Sequence, residues 1–228
     1  MKTGRILLLA ATSGEIESFI PQEKRSAAEK GELLKTADGP EVLITGPGIP
    51  ATLVSLTEVF CRESFDLVIN AGIAGSFRQE WPAGKVVNVV MESFAELGGE
   101  KPAQFTPLYH MRMAAPYKPS FMDKEGCMTN LNPPRSAALN ALEQAKGITV
   151  QTISGRQDRI REIQSRTRAD VESMEGAAVF YTCHRFSIPC LQIRAVSNFI
   201  HPDHLDQWDI PAAVESLRLS LKQILNEI

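Results

Sequence analysis

The sequence predicts a single α/β domain that spans residues 1–228 and is built around a largely parallel or mixed sheet. Short apolar runs alternate with helical patterns along most of the chain, and we find neither an internal repeat nor a linker. The apolar share of 43% and the charged share of 22% are ordinary for a globular protein. At 228 residues, the chain can bury a core that needs neither a disulfide nor a metal ion.

Each predicted strand is a short apolar run that is flanked by turn residues or charged residues. They span residues 5–10, 66–70, 84–92, 148–153 and 189–197. The predicted helices share apolar residues at spacings of three and four, and they span residues 51–62, 136–146, 174–185 and 211–226. Pro50 precedes the first of these helices, in a position where proline is tolerated.

The structure of three other segments is predicted from the positions of proline and glycine or from the local composition. Residues 15–30 should be partly helical, with an interruption near Pro21. Asp38-Gly39 separates two short runs and predicts a hairpin over residues 32–45. Residues 98–134 are rich in proline, methionine and aromatic side chains. Two interpretations of that segment stay open: a binding loop or lid, or an apolar strand pair with a surface loop.

Charge and cysteine content exclude several classes of function. The chain carries 24 Lys and Arg against 27 Asp and Glu, whereas nucleic-acid binders usually have a basic excess. Its four cysteines lie far apart without a Cys-x-x-Cys pair, which favours free thiols in a cytoplasmic protein. The apolar run near the N-terminus is too short for a signal peptide, and we expect no membrane span.

Three polar residues lie where strands should end: Glu15 lies just past the first predicted strand, Glu175 follows residues 171–174, and Asn198 ends the last predicted strand. Taken alone, each carboxylate is typical of a helix-dipole partner, and the asparagine is typical of a turn. Because ligands bind beyond the carboxyl ends of strands in open α/β sheets, their coincidence predicts one shared ligand site.

Other motifs are less specific. Neither Gly46-Pro47-Gly48 nor the glycines of residues 72–75 form a dinucleotide fingerprint or a P-loop. His201 and His204 lack a convincing third ligand, so no metal site is predicted. The basic run 156–168 is interleaved with acidic residues and is typical of a solvated helix face.

Residues 171–178, which read VESMEGAA, and residues 193–198, which read IRAVSN, resemble the signature of the purine nucleoside phosphorylase and nucleosidase superfamily. Residues 10–15, 70–75 and 207–211 extend the resemblance over essentially the whole chain, and it is strongest with the futalosine hydrolase family. The resemblance implies a mixed, partly barrel-like sheet flanked by helices. It also implies hydrolysis of futalosine to hypoxanthine and dehypoxanthine futalosine, in menaquinone biosynthesis, by a homodimer without cofactor or metal.

The same resemblance suggests a role for individual residues. Glu15 would activate the attacking water, Glu175 would bind the ribose hydroxyls, Met174 would pack on the sugar, and Asn198 would contact N7 of the base. Pocket backbone is expected from Ala71, Gly72, Ile73, Ser154 and Gly155. Because the loops 11–15, 46–50 and 70–76 contain no Arg or Lys, water is expected as the nucleophile in place of phosphate.

Two alternatives to futalosine hydrolysis stay open. One is a methylthioadenosine/S-adenosylhomocysteine or aminofutalosine nucleosidase that releases adenine, and the other is a silent nucleoside-binding protein. The base-stacking residue is not identified by the sequence. Arg112, Lys118 and Arg135 are candidate partners for a carboxylate arm of the substrate.

Overall fold

The computed structural model describes residues 4–29, 31–36, 39–102, 104–204 and 207–228, and eight of the ten strands in these ranges form one central sheet. The strands are β1 Ile6–Ala10, β2 Glu41–Ile44, β3 Leu67–Ser76, β4 Val86–Glu92, β5 Gly98–Lys101, β6 Gln104–Pro107, β7 Met128–Thr129, β8 Glu143–Thr149, β9 Val171–Ser173 and β10 Cys190–Phe199. β5 and β6 form a separate antiparallel hairpin.

The central sheet closes on itself. Its strand order is β10-β4-β8-β9-β3-β1-β2, and β10 also pairs with β3, while β7 pairs with β4. The strands β10, β4, β8, β9 and β3 therefore form a barrel, which β1 and β2 extend as a parallel flap. The mixed, partly barrel-like sheet expected from the sequence is confirmed.

One edge of β3 pairs with two different strands in succession, and these two strands diverge from each other. Its first residues, 67–70, pair with β1 in parallel, whereas Gly75 and Ser76 pair with β9 in antiparallel. Residues 71–74 have no strand partner on that edge within the described chain. The other edge pairs with β10 from Val68 to Ser76. A gap therefore opens between the end of β1 and the end of β9.

Six α-helices occur in the described ranges: α1 Arg25–Glu29, α2 Ile49–Phe60, α3 Ala137–Asn140, α4 Gln157–Thr167, α5 Gly176–Phe186 and α6 Ile210–Leu225. The apolar face of α6 packs on β3, β4 and β10, and its Leu217 and Leu221 are fully buried. On the other face of the sheet, α2 and α5 pack through Leu56 and Phe180, also fully buried. Both cores hold the strand ends in fixed positions.

The prediction of a helix over residues 136–146 is wrong beyond its first turn. Ser136 caps α3 by accepting a hydrogen bond from the amide of Leu139, but the helix ends at Asn140. Residues 143–149 form β8, which pairs with β4 and buries Ala145 and Ile148. Pairing with a distant strand overrides the helical propensity of the local sequence. The strand predicted at 148–153 accordingly begins at Glu143 and ends at Thr149.

The strand predicted at 66–70 continues through the glycines to Ser76, instead of ending in a loop at Asn70. Pairing with β10 extends it, and small residues allow side chains from other elements to lie against its backbone. The remaining predicted strands and helices match β1, β4, β10, α2, α5 and α6 within a few residues.

Two N-terminal predictions concern turns and short helices. Residues 13–29 contain three short 3-10 helices and α1, as the partly helical prediction requires. Leu34 and Val42 form an antiparallel bridge, consistent with the predicted hairpin, whose Asp38 lies outside the described residues. In the described ranges, no helix is both long and apolar enough to cross a membrane.

Candidate active site

A cavity of about 370 Å³ opens at the divergence of β1 and β9, which is large enough for a small organic ligand. Its polar lining comes from Thr12, Glu15, Glu172, Ser173, Glu175, Ser197 and Asn198. Its apolar lining includes Ile73, Val150, Ile153, Met174, Ile200 and Trp208. The structure thus brings Glu15, Ile73, Met174, Glu175 and Asn198 to one site, although they come from distant parts of the sequence.

Glu15 lies on the turn that follows β1, and its carboxylate is held by three donors. The backbone amide and the hydroxyl of Thr12 donate to Oε2 at 2.9 and 3.0 Å, and the amide of Ile73 donates to Oε1 at 3.0 Å. Ile73 lies in the part of β3 that lacks a strand partner on this edge, so Glu15 satisfies an amide that the sheet leaves free. Burial raises the pKa of Glu15, against the opposing effect of Arg194 and these amides.

Glu175 occupies the N-cap position of α5. Its Oε1 accepts a hydrogen bond of 2.9 Å from the amide of Gly48, and its Oε2 lies 3.6 Å from Nη2 of Arg194. Gly48 has a positive φ of 88°, which glycine tolerates and which turns its amide toward the carboxylate. The start of α5 and the loop before α2 therefore hold this second carboxylate together.

Arg194 lies on β10 between the two carboxylates and is only 1% exposed. Its Nη1 is 3.5 Å from the carbonyl of Ile73, while Nε and Nη2 have no hydrogen-bond partner among the described residues. A Cβ at Gly72 would overlap Nη1 and would lie 2.6 Å from Oε1 of Glu15. Gly72 is thus required for the guanidinium to reach its position, and Arg194 itself lies behind the residues that line the cavity.

Asn198 lies near the end of β10, just after a bulge in the pairing with β3. The hydroxyl of Ser197 donates to its Oδ1 at 2.8 Å and is 3.2 Å from the carbonyl of Ala74. With Oδ1 held in this way, the NH2 group of Asn198 has no acceptor among the described residues and can donate to a ligand in the cavity.

Four of the expected pocket residues do not line the cavity. Ala71 is fully buried in the core, and Gly72 lies behind Arg194 and Glu15. The amide and the hydroxyl of Ser154 donate to Glu172 at 2.8 and 2.5 Å. Neither Ser154 nor Gly155 is among the residues that line the cavity. Ser154 therefore acts on the cavity through Glu172, which does line it, and burial raises the pKa of Glu172.

Sequence reasoning missed Arg194, Thr12, Ser197 and Trp208. The available signal for Arg194 was a charged residue inside an otherwise apolar strand, because a buried guanidinium must be paired. Trp208 is the aromatic side chain on the lining, and the sequence did not identify a base-stacking residue. None of Arg112, Lys118 and Arg135 belongs to the lining.

The arrangement provides two carboxylates, one guanidinium between them, and an amide at a third position. Such a set can orient a water molecule, bind hydroxyl groups and donate to an acceptor on a ligand. The described residues contain no group of three or more side chains suited to hold a metal ion. A wider cavity of about 950 Å³ borders the start of β1 and the end of α6, but it lacks this convergence of buried polar groups among its lining residues.

Comparison with known sequences identifies related proteins. A family model described as the phosphorylase superfamily matches residues 4–228. The chain is 29% identical over 229 residues to the futalosine hydrolase of Streptomyces coelicolor, covering 92% of this chain and 91% of that protein. It is 28% identical over 195 residues to the 5′-methylthioadenosine/S-adenosylhomocysteine nucleosidase of Bacillus subtilis, covering 82% of each.

Solved structures share the fold. The native structure of futalosine hydrolase of Helicobacter pylori aligns with a TM-score of 0.69 and 15% identity over 98% of both chains. The Streptococcus pneumoniae MTA/SAH nucleosidase in complex with 8-aminoadenine aligns with a TM-score of 0.71 and 18% identity over 98% of this chain and 100% of that one. At these identities the likeness concerns the fold alone.

Proposed function

The chain belongs to the phosphorylase superfamily, and from that premise we propose that it is a purine nucleosidase that hydrolyses the N-glycosidic bond of futalosine. The products would be hypoxanthine and dehypoxanthine futalosine. The observation that carries the proposal is the pair of buried carboxylates, Glu15 and Glu175, on either side of the Arg194 guanidinium.

The chemistry of glycosidic cleavage assigns a role to each group. The sugar becomes oxocarbenium-like in the transition state, so a carboxylate beside it is stabilising. Glu175 binds the ribose hydroxyls and favours this developing positive charge, and Met174 packs on the sugar. Glu15 accepts the proton of the attacking water. Arg194, buried behind the cavity lining, favours the ionised form of Glu15 through its charge.

Water is favoured over phosphate as the nucleophile by the charges in the cavity. Arg194 supplies one positive charge, and Glu15 and Glu175 supply two negative charges when both are ionised. A phosphate dianion would therefore meet a net negative site, and the loops 11–15, 46–50 and 70–76 add no cation.

Asn198 supports a 6-oxopurine as the base. Its NH2 group can donate to O6 of hypoxanthine, and the second lone pair of Oδ1 can accept from N7 when that atom is protonated on leaving. The bond to N7 forms as the base leaves, so it stabilises the transition state more than the bound substrate. A 6-amino group would face the NH2 group of Asn198, donor against donor.

A second cavity of about 410 Å³ supports a substrate with a long 5′ arm. Its lining includes Ile49, Phe94, Tyr109 and Tyr181, and Ile49 follows the Gly48 amide that binds Glu175. We propose that the apolar part of the 5′ arm enters this cavity. Leu108 and Tyr109 belong to the irregular segment 98–134, which would then serve as a binding loop.

The adenine-releasing alternative is supported by the similarity to 5′-methylthioadenosine/S-adenosylhomocysteine nucleosidases. The test is to incubate the purified protein with futalosine, aminofutalosine and methylthioadenosine, with and without phosphate, and to separate the products by chromatography. Hypoxanthine from futalosine, with no ribosyl phosphate, is the expected result. Preferential release of adenine would establish the alternative, and absence of release from all three would indicate a silent binding protein.

We further propose that the enzyme acts in the cytoplasm as a homodimer without cofactor or metal. Val54, Leu97, Met113 and Tyr117 are 40–80% exposed, and contact with a second copy would bury large side chains of this kind. Light scattering on the purified protein would give its mass in solution, and a monomer would contradict the dimer.

A further inference from the structure

A fourth buried carboxylate, Glu92, lies behind the candidate site at the end of β4 and has no exposed surface. The amide of Gln192 donates to its Oε1 at 2.7 Å, and the hydroxyl of Thr149 donates to its Oε2 at 3.1 Å. Gln192 in turn accepts a bond of 2.7 Å from the amide of Asn70. Both carboxylate oxygens are therefore bound by uncharged donors from neighbouring strands.

Two glycines make room for this carboxylate. A Cβ at Gly147 of β8, or at Gly176 in the first turn of α5, would overlap Oε1 of Glu92. Because these two positions carry no side chain, the backbones of β8 and of the first turn of α5 lie directly against the carboxylate of Glu92. The position of the carboxylate and the positions of these two backbone segments therefore depend on each other.

The hydrogen bonds continue from Glu92 to the candidate site. Thr149, which donates to Glu92, also accepts a bond of 2.7 Å from the amide of Ala177 in the first turn of α5. Glu175 is the N-cap of that helix, two residues earlier. On the other side, Gln192 and Arg194 are alternate residues of β10 and share one face of the strand.

We propose that Glu92 is a positioning residue for hydrolysis, which acts through Thr149 on the first turn of α5 and so holds Glu175 against Gly48 and Arg194. The inference rests on the proposed function, because it assigns to Glu92 a part in binding the ribose. Glu92 itself does not line the cavity and contacts no substrate atom.

The ionisation of Glu92 makes this role pH-dependent. Arg194 is the charged group that acts on it from β10, whereas β8 and α5 present the uncharged Gly147, Thr149 and Gly176. Burial raises the pKa of Glu92 to about 7, against the bonds from Gln192 and Thr149. Both partners donate, so the network as built suits the ionised carboxylate, and protonation removes an acceptor from one of them.

Glu92→Gln, Thr149→Val and Thr149→Ser test the proposal. Glu92→Gln keeps the shape but directs an NH2 group at one of the two donors, so it should lower kcat/KM on futalosine about tenfold at pH 8. At pH 6, where the native Glu92 is largely protonated, the ratio of wild type to variant should approach one. Glu15 contributes equally to both proteins, so the ratio isolates Glu92. Thr149→Val should lose about tenfold at pH 8, and Thr149→Ser should recover most of that loss.

An equal ratio at pH 6 and pH 8, or a Thr149→Ser variant no better than Thr149→Val, would overturn the proposal. A wild-type protein that cleaves no nucleoside would refute the proposed function instead, and a second measurement then still tests the network. In ¹⁵N-alanine-labelled protein, the amide resonance of Ala177 should titrate with a midpoint near that of Glu92 and should not titrate in Glu92→Gln. An Ala177 resonance unchanged between pH 5.5 and pH 8.5 would overturn the inference independently of activity.

Discussion

Arg194 lies between Glu15 and Glu175 with almost no exposed surface, so its charge acts on both carboxylates through little intervening water. Neither carboxylate makes a close bidentate pair with it, and two of its nitrogens remain without a partner among the described residues. A buried guanidinium is costly unless nearby negative charge offsets it. Under the proposed function, Glu15 and Glu175 bind the water molecule and a sugar hydroxyl, and Arg194 holds its positive charge behind them.

Glu15→Gln should lower turnover of futalosine by at least about 100-fold, since the amide cannot accept the proton of the attacking water. Substrate binding should survive, because the amide keeps the shape of the side chain. Glu175→Gln should weaken both binding and turnover, because it removes charge beside the ribose. Steady-state kinetics and equilibrium binding on both variants measure the difference. Glu17→Gln is the matched control, since Glu17 lies on the same segment but is exposed. Normal turnover by Glu15→Gln would refute water activation by this residue.

Ser197 and Asn198 together should determine the choice of base. A mismatched buried polar pair costs about 1–3 kcal/mol, which corresponds to roughly 5- to 150-fold in selectivity. We expect the wild type to prefer futalosine over aminofutalosine by a factor in this range, and Asn198→Asp to shift the preference toward the 6-amino substrate. Ser197→Ala removes the donor that holds Oδ1, so the amide can turn and part of the preference should be lost.

The ratio of kcat/KM values on the two substrates measures this preference for each protein. Ser197→Thr retains a hydroxyl and serves as the control for Ser197→Ala. Equal or adenine-favouring activity in the wild type would contradict both the role of Asn198 and the choice of futalosine.

At the scale of elements, β3 combines two roles that local sequence does not reveal. Its first half pairs with β1 and its last residues pair with β9, so the segment between them can give an amide to Glu15. The sequence predicted only the first half, because small residues and glycines usually end a strand. Here the small residues allow other side chains to lie against the backbone of β3, since Arg194 and Glu15 occupy the space that a side chain at Gly72 would need.

Gly72→Ala should therefore impair catalysis more than folding. The added methyl group overlaps Nη1 of Arg194, so the guanidinium must move away from the carboxylates. We expect kcat/KM to fall at least about tenfold, the size of one disturbed hydrogen bond to a charged group. Gly99→Ala is the control, because its methyl group would meet only the flexible end of Met111, at 3.4 Å. Kinetics and thermal unfolding of both variants test this, and full activity of Gly72→Ala would contradict the geometry described for Arg194.

The elements that the sequence predicted well are those with a strong local pattern, such as β1, β10 and α6. The region 136–149 failed because its Ala, Leu, Glu and Lys residues favour a helix, while pairing with β4 requires a strand. The candidate site shows the same division. Glu15, Glu175 and Asn198 could be found from their positions after strands, whereas Arg194 and Ser197 act through contacts that only the closed barrel creates.

At the scale of the whole molecule, the barrel encloses several carboxylates whose pKa values burial raises: Glu15, Glu92 and Glu172. Closing the sheet brings β4, β8 and β10 around Glu92, far from water. The folded chain therefore favours the protonated form of these groups more than the unfolded chain does, and its stability is linked to pH.

For Glu92, the linkage has a defined direction and range. Its pKa is about 7 in the folded protein against an ordinary value of 4.5, so between these values the folded chain binds the proton that the unfolded chain has lost. The free energy of unfolding must then decrease as pH rises through this window, by up to about 3 kcal/mol from this group alone. Glu92→Gln cannot titrate, so it should gain stability relative to the wild type by about this amount between pH 5 and pH 8. Urea unfolding of both proteins across this range measures the difference, and a difference that stays constant with pH would show that Glu92 does not retain its proton in the folded barrel.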